Sequence, residues 1–104
     1  MDLSDLIGSD CIFPSLRAKS KKHALQELSA SAAALTGLPE RDIFDTLLQR
    51  ERLGSTGVGQ GIAIPHGKLA GLDGITGLFA RLEKPIDFEA VDGEKVDLVF
   101  LLLA

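Results

Sequence analysis

The stretch Arg50-Glu51-Arg52-Leu53-Gly54-Ser55-Thr56-Gly57-Val58-Gly59-Gln60-Gly61-Ile62-Ala63-Ile64-Pro65-His66-Gly67-Lys68 decides how this chain is read. Here a helical pattern stops and a strand pattern begins. Five of the 11 glycines fall between residues 54 and 67, and Ile62-Ala63-Ile64 then reads as a short strand halted by Pro65. Upstream, residues 39–53 predict a helix. Pro39 suits the first helical position, Glu40 and Asp42 stand where the helix dipole favours acids, and Arg50 and Arg52 stand where it favours bases. Ile43, Phe44, Leu47 and Leu48 form the expected buried face, and Gly54 is the stop signal. A helix over residues 20–36 precedes it. Ser20 is its cap, Leu25, Leu28, Ala32 and Leu35 are its apolar stripe, and Thr36-Gly37 is its end.

Downstream the pattern is extended. Residues 77–82 predict a strand, residues 85–91 a short edge segment, and Asp92-Gly93 a turn. Residues 96–103 are almost continuously apolar, broken only by Asp97, which predicts a strand covered on both faces. The strand pattern closes on Leu103-Ala104 with no covering element after it. The expectation is one domain over residues 1–104 that is the front part of a longer one; the alternative is that a second copy covers the strand. An exposed edge of this composition pairs with other chains, so self-association through this C-terminal strand is expected.

Composition narrows the function classes. A chain of 104 residues is one small domain, and 45% apolar content is enough for a core. The net charge of −4 lies wholly in residues 73–104, where seven acids face three bases. An acidic chain with five Phe, no Trp and no Tyr is a poor partner for nucleic acid. No apolar run is long enough for a membrane span, and the acidic start Met1-Asp2-Leu3-Ser4-Asp5 is unlike a signal peptide. One cysteine, Cys11, excludes an internal disulfide, and His23, His66 and Cys11 lack metal-ligand spacing. These features predict a soluble cytoplasmic domain without metal or cofactor.

Few residues carry chemistry. Pro65 locks the backbone before His66, and Gly67 permits close approach after it, which presents one imidazole from a strand end. Imidazole is neutral in part near physiological pH and can act as a nucleophile; the alternative is an idle loop histidine. Gly57, Gly59 and Gly61 suggest a nest of backbone N–H groups for an anion, or a structural turn. The order is helix, loop, strand, which excludes a Rossmann fingerprint, and Ile62 and Leu69 exclude a Walker A loop. Arg50, Ser55, Thr56, the glycines and His66 together describe a phosphoryl site, with donors for the oxygens and a nucleophile.

Residues 50–68, with Ser20-Lys21-Lys22 and Lys84-Pro85-Ile86-Asp87-Phe88, resemble the EIIA domains of the bacterial phosphotransferase system. The class is fructose/mannitol, and the nearest branch is the nitrogen-related one. The resemblance implies an α/β fold, a mixed β-sheet flanked by helices. It implies that His66 is the phosphorylated histidine, that Arg50 is the arginine beside it, and that the phosphoryl group comes from an HPr-like phosphocarrier protein. It implies a phosphotransferase component whose phosphorylation state regulates other proteins, rather than a small-molecule enzyme. A second active-site histidine of the family, placed after the strand near Leu103, is absent from these 104 residues, and His23 does not substitute for it. That absence keeps open a second class, a binding module indifferent to phosphorylation.

Overall fold

The computed structural model describes residues 12–72 and 74–104. The acidic start Met1–Asp5 and Cys11 lie outside them. The elements in order are β1 (Ile12–Leu16), α1 (Lys21–Thr36), α2 (Glu40–Leu53), β2 (Gly57–Gly59), β3 (Ile62–Ala63), β4 (His66–Gly67), β5 (Thr76–Ile86) and β6 (Val96–Leu103). The six strands form one mixed sheet in the order β1-β5-β6-β3-β2, with β4 also paired to β6. The α/β architecture with a mixed sheet is therefore present.

Both helices begin and end where the sequence predicts, within a residue. Ser20 caps α1 by accepting from the His23 N–H at 3.1 Å, and the Gly37 N–H closes its last turn on the Ala33 carbonyl. Pro39 stands at the cap of α2, one position before the first helical residue expected for it. Leu25, Leu28 and Ala32 of α1 and Ile43 and Leu47 of α2 are fully buried, while Leu35, Phe44 and Leu48 are half-buried against the same core. This helical layer covers one face of the sheet, where Leu78, Ala80 and Leu82 of β5 alternate with Val99, Leu101 and Leu103 of β6.

One strand is new and two strand expectations change. β1 was not legible in the sequence; it is an edge strand running parallel to β5, with Ile12 opposite Phe79. β5 does not stop at Leu82 but runs through Pro85 to Ile86, so there is no separate edge segment over residues 85–91. A register shift between Arg81 and Ile86 absorbs Pro85, which has no N–H to give to a ladder. β6 is not covered on both faces. Leu98, Phe100 and Leu102 remain half-buried on the face away from the helices.

The expected self-association through an open edge of β6 does not fit this topology either. β6 is an inner strand: β5 pairs along one edge, and β3 and β4 pair along the other. Its N–H and C=O groups are engaged on both sides, so no edge is offered to a second chain.

Gly67 lets α2 approach the sheet closely. A Cβ there would lie 2.7 Å from Thr46 Cγ2. Gly67→Ala is expected to lower stability by about 1–3 kcal/mol through overpacking. Adding Thr46→Ser, which removes the opposing methyl, is expected to recover part of that loss. Denaturant unfolding of the two variants checks this; a Gly67→Ala protein as stable as wild type counts against the close approach.

Candidate functional site

His66 is held at the surface by backbone bonds on both sides. The Leu102 N–H donates to the Pro65 carbonyl at 3.0 Å, and the Ala104 N–H donates to the Gly67 carbonyl at 3.1 Å. These bonds pin His66 opposite Leu102 of β6, while its side chain is exposed. Thr46 packs over Gly67, and one turn further along α2 stands Arg50. Its Nε donates to His66 Nε2 at 3.2 Å, and its Nη1 donates to the Gly54 carbonyl at 2.9 Å.

These contacts select one tautomer. A guanidinium only donates, so Nε2 accepts and carries the lone pair. The other ring nitrogen, Nδ1, lies 2.9 Å from the Ile64 carbonyl oxygen, which only accepts, so Nδ1 carries the proton. Both neighbours thus agree on a neutral imidazole with its lone-pair nitrogen beside Arg50.

The remaining residues of the expected phosphoryl site are placed differently. The Ser55 hydroxyl donates to the Phe88 carbonyl at 2.7 Å and accepts from the Gly57 N–H at 3.0 Å. Thr56 is buried, and its hydroxyl donates to the Glu51 carboxylate. Gly57 lies inside β2, packed so closely on Ala90 that a Cβ would come within 2.9 Å of its Cα. Gln60 and Gly61, both at positive φ, form the turn of the β2–β3 hairpin. The Gly61 carbonyl accepts from Asp97 and Leu98 at the start of β6. Ile62 is paired with Leu98 and His66 with Leu102. Four residues of strand, about 13 Å, therefore separate the turn from the imidazole. The structure brings Arg50 to His66 and leaves Gly59 and Gly61 at the other end of the hairpin. The glycines serve as a tight turn and close packing, not as a cradle around His66.

One charged residue of this region was not singled out in the sequence. Glu51 has a side chain only 3% exposed. Lys21, the first residue of α1, reaches it with Nζ at 2.7 Å from Oε2. Glu51 Oε2 also accepts from the Thr56 N–H at 3.1 Å. The Lys21 ammonium lies 5.0 Å above the Phe88 ring, a cation–π distance. A signal existed: Ile43, Leu47 and Glu51 are spaced four apart, which puts a carboxylate in line with the buried stripe. Arg52 and His23 are elsewhere. Arg52 is exposed, and His23 sits in the first turn of α1, where Nε2 lies 3.3 Å from Glu27 Oε1.

A family described as the phosphoenolpyruvate-dependent sugar phosphotransferase system, EIIA 2, matches residues 5–104. The chain belongs to that family. This EIIA chain is 62% identical over 104 residues to a nitrogen regulatory protein of Bradyrhizobium diazoefficiens, matching 100% of itself and 68% of the relative. It is 45% identical over 105 residues to the nitrogen regulatory protein of Escherichia coli, matching 99% of itself and 64% of that relative. It thus spans about two thirds of the length of the curated relatives it matches. The crystal structure of the nitrogen regulatory protein IIA-Ntr from Neisseria meningitidis superposes with a TM-score of 0.91 at 40% identity, covering 97% of this chain and 69% of that one. The EIIA fold and the nitrogen-regulatory branch are therefore shared. Among the described residues, no helix is long and apolar enough to cross a membrane.

The hairpin turn is clamped by Asp92. Its carboxylate accepts from the Gln60 N–H at 2.9 Å and the Glu94 N–H at 3.0 Å. These donors, Gln60 first, hold its pKa below the ordinary value of 3.8. The clamp's contribution to stability is expected to be full above that ordinary value and lost as pH falls through the lower folded value. The stability gap between wild type and Asp92→Asn should therefore close on acidification. Denaturant unfolding across that window checks it; a gap independent of pH removes the clamp from the account.

Proposed function

We propose that this EIIA chain accepts a phosphoryl group on His66 Nε2 from an HPr-like phosphocarrier protein and that its phosphorylation state regulates partner proteins. The observation carrying this reading is the pair of contacts at one imidazole: Arg50 beside Nε2 and the Ile64 carbonyl on Nδ1–H. Membership of the EIIA family supports it.

In the transfer, the Nε2 lone pair attacks phosphorus and a new P–N bond forms. The P–N bond to the donor's histidine breaks, and its imidazole takes the electron pair. Positive charge develops on the His66 ring, and the Nδ1–H···O=C bond to Ile64 stabilises it. The Arg50 guanidinium exchanges the Nε2 lone pair for the phosphoryl oxygens as the new bond forms, while its second bond to Gly54 keeps it in place. Transfer between two histidines needs positioning and charge stabilisation more than covalent help. Ser55, Thr56 and Gly57 act by holding the chain between α2 and β3, and Gly59 and Gly61 by forming the hairpin.

The phosphorylated side chain carries roughly −1.5 to −2 charge by analogy with other phosphorylated residues. It appears on a surface where Arg50, Arg52 and Lys68 supply the neighbouring positive charge in sequence. Neutralising Arg50 while adding that charge changes what the surface attracts, which is the basis of a regulatory readout. Such an exchange with a phosphocarrier belongs in the cytoplasm, and the reading assigns no role to nucleic acid.

Incubation with the phosphocarrier system and intact-mass analysis tests the acceptor. Wild type and His23→Ala are expected to gain one phosphoryl group, and His66→Ala none. A phosphorylated His66→Ala protein would falsify the assignment. Arg50→Ala is expected to slow transfer on the order of 100-fold, the usual cost of one preorganised donor, and Arg52→Ala to leave it near wild type. Rapid-quench rates separate the two arginines; equal rates for wild type and Arg50→Ala remove Arg50 from the site.

A further inference from the structure

We propose that Glu51 is a positioning residue for His66: a buried carboxylate that selects the tautomer of an exposed imidazole through the backbone between them. The rate effect claimed below rests on His66 being the phosphoryl acceptor; the tautomer effect does not.

The connection is continuous and short. Glu51 accepts from both the N–H and the hydroxyl of Thr56. The Thr56 carbonyl accepts from the Ile64 N–H at 2.9 Å. The Ile64 carbonyl accepts from His66 Nδ1–H at 2.9 Å. Each peptide in this series is oriented by the contact before it, so the direction of the Ile64 carbonyl depends on where Thr56 is held. On its other side, the Glu51 backbone carbonyl accepts from the Gly54 N–H at 3.2 Å, and the Gly54 carbonyl accepts from Arg50. One residue therefore fixes both neighbours of the imidazole, the acceptor at Nδ1 through its side chain and the donor at Nε2 through its backbone.

A carboxylate is the group this task requires. Only an acceptor with two oxygens takes the Thr56 N–H and hydroxyl together and still receives an ammonium. Burying that charge is costly unless it is paired and hydrogen-bonded, and Lys21 supplies the pairing at 2.7 Å. Lys21 is itself fixed by its place at the start of α1 and by the Phe88 ring beneath it. Lys21 also lies 3.9 Å from the exposed Glu89 carboxylate, so the buried Glu51, with both Thr56 donors on it, is the member of the cluster placed to orient the backbone. Glu51 is buried and bonds to Lys21 and Thr56 rather than to the imidazole, so it acts through other groups.

The test is the imidazole nitrogen shifts of His66 by two-bond proton–nitrogen correlation, on the unphosphorylated protein. Wild type is expected to show the Nδ1–H tautomer. Glu51→Gln and Thr56→Val are expected to show a mixture of both tautomers, while Ile43→Val, a core change of similar size, keeps the wild-type signature. Thr56→Val removes one hydroxyl and leaves the Lys21–Glu51 pair in place, so the measurement does not depend on Glu51→Gln folding well. With the phosphocarrier, both site variants are expected to lose about tenfold in kcat with KM unchanged, because alignment and not docking is disturbed. Folded variants that retain the pure Nδ1–H tautomer overturn the proposal. A wild type that takes no phosphoryl group overturns the reading of His66 as acceptor, and the nitrogen shifts still decide the role of Glu51.

Discussion

The double pairing of β6 is the constraint on which this molecule depends. One strand of eight residues receives β5 on one edge and both β3 and β4 on the other. The break between β3 and β4 falls at Ile64-Pro65, and the backbone regains its partner at once through the Pro65 carbonyl. Pro65 removes a donor and fixes its own φ, so the chain leaves the ladder for two residues without losing register. His66 is thereby tied to the most connected strand of the sheet while its side chain faces solvent. An imidazole placed this way needs no loop to be ordered around it.

The second constraint is electrostatic. The ends of α1 and α2 meet the start of β2 around Glu51, whose charge is compensated by Lys21 and two donors of Thr56. This is the one buried ion pair among the described residues, and it joins elements far apart in the chain. The exposed pair Arg17–Glu83 is of a different kind, since solvent screens it and it contributes little. The glycines complete the arrangement by removing side chains at contact points. Gly67 lets α2 lie on the sheet, and that contact sets the height from which Arg50 reaches His66.

How much of this was legible in the residues depends on the range of the signal. Both helices, their caps, the strand of residues 96–103 and the exposed position of His66 follow from patterns a few residues wide, so the sequence determined them. The approach of Arg50 to His66 was legible through the family resemblance of residues 50–68. The role of Glu51 was not, because helical spacing shows that a carboxylate falls on a buried stripe but not which cation, thirty residues earlier, comes to meet it. β1 was missed because an edge strand of five residues has too short a pattern to stand out. For the glycine loop, composition leaves an anion nest and a structural turn both open; the β2–β3 pairing makes it a hairpin turn, and pairing with β6 puts that turn away from His66.

By itself, then, the sequence determined the two helices and the strand of residues 96–103, which face of each helix is apolar, and which imidazole is available, since these follow from local backbone preference and the period of hydrophobic residues. Only the tertiary structure decided which nitrogen of that imidazole keeps its lone pair, that the Ser55 and Thr56 hydroxyls are engaged by Phe88 and Glu51, and that β6 has no free edge. Those outcomes depend on hydrogen bonds and charges between residues distant in the chain, and their partners exist only once the sheet has closed.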